Sequence, residues 1–96
     1  MLTIPEIKDK LTPIFVENNI KRAILFGSYA KEIATVESDI DLVIDTEITG
    51  FSFFALRSEM EDLINREIDL IANFEIIPKS RIDNEVKSTG VVIYEI

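Results

Sequence analysis

The chain has 96 residues, 47% of them apolar, which suits one compact domain and excludes a disordered segment. Eighteen acidic against ten basic residues give a net charge of −8, which repels a phosphate backbone and argues against direct nucleic-acid binding. There is no cysteine and no histidine, so thiolate chemistry is excluded and a general base must be a carboxylate, lysine or tyrosine.

The start, Met1-Leu2-Thr3-Ile4-Pro5-Glu6, lacks the basic and apolar stretches of a signal peptide. No apolar run approaches the roughly 20 residues of a membrane helix. A cytoplasmic protein with no membrane partner is the expectation. Thr3 and Glu6 have capping-box spacing, so a helix should begin near Ile4, with Ile7, Leu11, Ile14 and Phe15 on one face. Pro13 threatens to kink it, and Asn18-Asn19 reads as its stop. Ala23 to Phe26 is an apolar run suited to a buried strand. Gly27-Ser28 then opens a short helix through Lys31. Asp39 to Ile44 alternates acidic and apolar residues, as a strand with one polar end does.

After a loop at 47–50, a helix is expected from Ser52 to Asn65, with Phe53, Leu56, Met60, Leu63 and Ile64 toward the sheet. Glu67 to Ala72 gives a third strand. Pro78 should begin a last helix, with Ile82 and Val86 inward and Gly90 past its end, before a final strand from Val91 to Tyr94. The expected fold is α/β (α+β): one domain over residues 1–96, a small mixed sheet with helices mainly on one face.

Asp39 and Asp41 are two apart on a strand, so their carboxylates share a face. Such carboxylates repel each other and call for a cation, and Mg2+, a hard ion taking oxygen ligands and phosphates, fits. Asp69 is the natural third ligand, on a second acidic-apolar strand, and the candidate base for an attacking hydroxyl. Three carboxylates on neighbouring strands suit a two-metal site for in-line displacement at phosphorus. Gly27 lets the backbone approach a nucleoside triphosphate, Ser28 adds a hydroxyl donor, and Lys31 offers a positive charge one turn on. Singly, an Asp-x-Asp, a Gly-Ser turn or a helix lysine usually marks only solvated charge or a turn. Their order and spacing together carry the inference.

Gly27-Ser28, ten residues, then Asp39-Ile40-Asp41 resembles the GSx(10)DxD signature of the polymerase-β-like nucleotidyltransferase superfamily. The stretch Gly27 to Asp45, and with it Arg66 to Leu70 and Ser88 to Tyr94, looks most like the minimal nucleotidyltransferases, or MNT domains. The resemblance implies their fold and a magnesium-dependent enzyme. Many MNT proteins are antitoxins paired with a HEPN-type RNase toxin, and MntA-type members transfer AMP from ATP to a tyrosine of that toxin. By this resemblance the chain is a protein adenylyltransferase of a type VII-like toxin–antitoxin pair, in a hetero-oligomer with its toxin. Asp39, Asp41 and Asp69 would bind metal, and Gly27 and Ser28 the phosphates. The usual Ala-Arg-Gly-Glu-Ala is replaced here by Ala30-Lys31-Glu32-Ile33-Ala34, which loses arginine's planar fork and a glycine. Two alternatives stay open: a nucleotidyltransferase for a small molecule or nucleic acid, and a non-catalytic antitoxin that acts by binding.

Overall fold

A computed structural model describes residues 2–96. Helix α1 spans Ile4–Glu17, and both halves of its capping box form: Thr3 Oγ1 accepts from Glu6 N–H, and Glu6 Oε1 from Thr3 N–H. Pro13 does not interrupt α1. Its missing N–H deprives the carbonyl of Asp9, and both residues lie on the water-facing side, where solvent replaces the bond. Asn18 caps the helix, and Asn19 turns the chain at φ 55°. Strand β1 (Arg22–Phe26), helix α2 (Gly27–Ala30) and strand β2 (Ile40–Asp45) follow. Then come α3 (Gly50–Ile64), β3 (Ile68–Ala72), a 3-10 turn (Asn73–Glu75), α4 (Arg81–Thr89) and β4 (Val91–Glu95).

The four strands form one mixed sheet in the order β3-β2-β1-β4, with β2 and β3 parallel and the other pairs antiparallel. Alternation along the strands sends one set of side chains to the main core. Ala23 and Leu25, Ile40, Leu42 and Ile44, and Ile68 and Leu70 point into a core closed by Ile7, Leu11 and Phe15 of α1 and Leu56, Met60 and Ile64 of α3. A bulge in the β1–β4 pairing between Ala23 and Ile24 lets β4 bury Ile93 and also stack Tyr94 on Phe15, ring centroids 5.3 Å apart. The outer edge of β3 is blunted, because Ile68 N–H donates to Glu61 Oε2 and Ala72 N–H to Glu75 Oε1, each at 2.9 Å.

Three expectations need correction. Leu63 does not reach the sheet; it is 47% exposed, at the flank of the α3 stripe. The last helix begins at Arg81, not at Pro78, because Ser80 caps it by accepting from Asp83 N–H at 3.2 Å. Nor are Ile82 and Val86 its buried residues: Ile82 is 37% exposed, Val86 is half-buried, and Asp83 is buried instead. Asp83 accepts from Lys79 N–H and Lys87 Nζ, and these bonds hold its carboxyl below the ordinary range. Gly90 follows α4 as expected but not in a left-handed conformation; a Cβ there would strike the Val86 carbonyl and sit 2.8 Å from Ile24 Cγ2. Glycine is needed for close approach of α4 to β1.

Candidate active site

The second face of the sheet carries the alternates of the same strands, Asp41, Asp45 and Asp69 standing among the apolar side chains of Ile24, Phe26, Val43 and Ile71. In the strand register Phe26 lies opposite Asp41, and Asp41 lies opposite Asp69. The end of β1, with Gly27 just beyond it, therefore stands beside both carboxylates. Gly27 has φ +71°, and a Cβ there would run into Asp41 Oδ2. Only glycine both turns the chain here and leaves room for that carboxylate. Helix α2 is a single turn, so its first amides have no partner within the helix and remain available to an anion.

A cavity of about 680 Å³ opens over this point. Gly27, Ser28, Asp41 and Asp69 line it together with the apolar side chains of Ile71, Ile76, Ile77 and Ile82. Asp39, one residue ahead of β2 and exposed, does not line it, although its charge is felt at Asp41. Burial pushes the Asp41 carboxyl up to about 6, and the negative charges of Asp69, Asp39 and Glu85 push in the same direction. Among the described residues, no three acidic side chains are yet gathered as tightly as a metal ion would hold them. The chemistry of the donor set still fits a hard divalent cation. The site offers carboxylate and hydroxyl oxygens, and among the described residues the charges felt at the half-buried Asp41 carboxylate are those of other acidic side chains.

Lys31 is not part of this cavity. Its Nζ lies 2.8 Å from Glu85 Oε1, tying α2 to α4. Glu85 was missed by the sequence reading, although Ile82, Glu85 and Val86 share helical spacing and placed it on the inward side of α4. Arg81, also unanticipated, lines the cavity from the first residue of α4. Glu32, where the resemblance expects glycine, has φ 60°, the left-handed conformation that glycine adopts without strain.

A glycine turn set beside paired carboxylates at the polar edge of a mixed sheet is the equipment of a nucleotidyl-transfer enzyme. The chain belongs to the family described as Polymerase beta, Nucleotidyltransferase, which matches residues 9–96, and it is a nucleotidyltransferase. A Methanocaldococcus jannaschii protein named "Putative protein adenylyltransferase" is 35% identical over 88 residues, covering 88% of this chain and 95% of the relative. A second protein of that name from the same organism is 38% identical over 77 residues, covering 74% of this chain and 79% of the relative. Among solved structures, a toxin–antitoxin crystal structure with AMP-PNP superposes with a TM-score of 0.77 at 18% identity, covering 93% of this chain and 73% of that one. A complex of tri-AMPylated Shewanella oneidensis HEPN toxin with MNT antitoxin superposes with a TM-score of 0.72 at 16% identity, covering 98% and 74%. These two likenesses show a shared fold.

Proposed function

We infer that this protein is an antitoxin that transfers AMP from ATP to a tyrosine of a HEPN-type toxin, with which it forms a hetero-oligomer. One observation carries the reading: a single cavity is lined by the glycine turn, by the carboxylates of Asp41 and Asp69, and by the apolar side chains of Ile71, Ile76 and Ile77. In-line displacement needs the leaving group and the attacking oxygen on opposite sides of phosphorus. Gly27 and Ser28 offer amide and hydroxyl donors to the β- and γ-phosphates. Asp69 lies level with Asp41 on the neighbouring strand, and Ile71, Ile76 and Ile77 give the same cavity an apolar wall. An acceptor hydroxyl attached to an apolar ring suits that wall better than a sugar or a phosphodiester would. A tyrosine phenol has this chemistry.

Asp69 takes the phenolic proton as the oxygen attacks the α-phosphorus. The bond to the bridging oxygen breaks, and pyrophosphate leaves with the electron pair. Asp39, Asp41 and Asp69 would hold Mg2+, which supplies charge neutralisation to the phosphates when bound. The net charge of −8 favours a basic partner over nucleic acid. Phe51, Phe54 and Phe74 are 93%, 63% and 56% exposed, the kind of aromatic surface a protein partner covers. The names of the adenylyltransferase relatives and the likeness to toxin–antitoxin complexes support the same reading.

Incubating the protein with the toxin, labelled ATP and magnesium should label one or more toxin tyrosines. No transfer by a protein that still binds ATP would reject the reading. The Lys31–Glu85 pair favours a second one, because it leaves the phosphate end without a free lysine: neutralisation of the toxin by binding alone. An Asp39→Asn, Asp41→Asn double variant that still neutralises the toxin at matched levels would establish that alternative.

A further inference from the structure

The three segments that carry the site converge on one side chain outside the cavity. Arg66 Nη1 donates to Tyr29 Oη at 2.8 Å, Nη2 donates to the carbonyl of Ser38, and the guanidinium carbon lies 5.8 Å from the centroid of the Tyr29 ring. Tyr29, buried within α2, is two residues from Gly27. Ser38 immediately precedes Asp39. Arg66 itself lies three residues before Asp69, and the next carbonyl, that of Glu67, accepts from Ile40 N–H at 3.1 Å.

We propose that Arg66 is a positioning residue that fixes the spacing between the phosphate turn and the carboxylates of Asp39 and Asp69. Apart from the Ile40–Glu67 backbone bond and the local Thr35–Ser38 turn, Arg66 is what ties the far end of the segment between α2 and β2 to the rest of the site. Ile33 and Val36 are 68% and 70% exposed, and the one small side chain of the segment that packs against the core, Ala34, lies toward its start rather than its far end. A planar fork satisfies two acceptors on two segments at fixed separation, which an ammonium group cannot do. It also gives the buried Tyr29 hydroxyl its partner. The inference rests on the reading of Asp39, Asp41 and Asp69 as the magnesium–nucleotide site. It is independent of the identity of the acceptor.

The test is a titration of a fluorescent ATP analogue against magnesium with the whole chain, so it does not depend on a toxin being labelled. Wild type should show magnesium-dependent binding; binding indifferent to magnesium would reject the metal-site reading itself and, with it, the role of Arg66. Arg66→Ala should need about tenfold more magnesium for half-maximal binding, the usual order for loss of a group that orients metal ligands. Arg66→Lys, which keeps charge and stem but not the fork, should show most of that loss while melting within a few degrees of wild type. Guanidinium ion, added below denaturing concentration, should restore the magnesium demand of Arg66→Ala but not of Arg66→Lys. An unchanged magnesium demand in Arg66→Lys would overturn the proposal. So would a loss in Arg66→Ala that guanidinium does not relieve and that tracks a fall in melting temperature.

Discussion

The two faces of the sheet use the same strands for opposite ends. On β2, Ile40, Leu42 and Ile44 are fully buried against α1 and α3, whereas on the other side Asp41 and Asp45 stay half-exposed with Val43 buried between them. On β3, Ile68 and Leu70 are buried and Asp69 is exposed. The first face gains stability by removing apolar surface from water. The second brings carboxylates together at an electrostatic cost, visible in the raised Asp41 carboxyl. Adjacent residues should therefore fail in different ways when replaced.

The largest effect should be on transfer. Asp41→Asn is expected to lower AMP transfer by at least about 10²–10³-fold, as loss of one fixed electrostatic partner does, while leaving the metal-free protein as stable as wild type or more so. Its neighbour should do the reverse. Leu42→Ala should cost about 2–5 kcal/mol of folding free energy, read by denaturant unfolding, with no direct loss of any group in the cavity. If Asp41→Asn instead unfolds the protein, the division between the faces is wrong.

Gly27→Ala probes the point where backbone conformation and site meet. The left-handed φ and the clash with Asp41 Oδ2 should together cost about 1–3 kcal/mol, and nucleotide binding should weaken with it. A thermal melt and an ATP titration on the same sample check both.

A smaller effect should appear on changing pH without metal. Asp41 binds its proton more tightly folded than unfolded, its carboxyl rising from 3.8 to about 6. Between those values the folded state holds more protons, so stability should fall as pH rises from 5 to 7.5. Water still reaches this carboxylate, which reduces the effect to about 1 kcal/mol, or roughly 4–8 °C in a chain of this size. Glu6 and Asp83 have lowered carboxyls and lose their contributions only at lower pH, outside this window. Magnesium should remove the loss, and a melting temperature flat with pH in chelator would contradict the cluster.

The smallest effect sharpens the comparison from outside either face. Glu32→Gly should be neutral or stabilise by up to about 1 kcal/mol, because it relieves a left-handed residue that makes no side-chain bond among the described residues. Equilibrium unfolding detects this. A destabilised variant would mean that Glu32 is held by something other than its backbone.

Periodicity made much of this legible beforehand. The capping box of α1, the apolar run of β1 and the alternation in Asp39–Ile44 are local patterns, and local patterns fix helices, strands and the face a side chain takes. The spacing from Gly27-Ser28 to Asp39-Ile40-Asp41 likewise named the class of enzyme, since it is written in adjacent residues. Strand order and register are not local. That Asp69 lies level with Asp41 follows from parallel pairing of β2 with β3, which no single segment encodes. The placement of α4 explains the rest. Its Glu85 pairs with Lys31, which is therefore not free to face the cavity, and adds a third negative charge near Asp41. A helix pattern gives an inward side but not the neighbour across from it, because that depends on how the chain returns over the sheet.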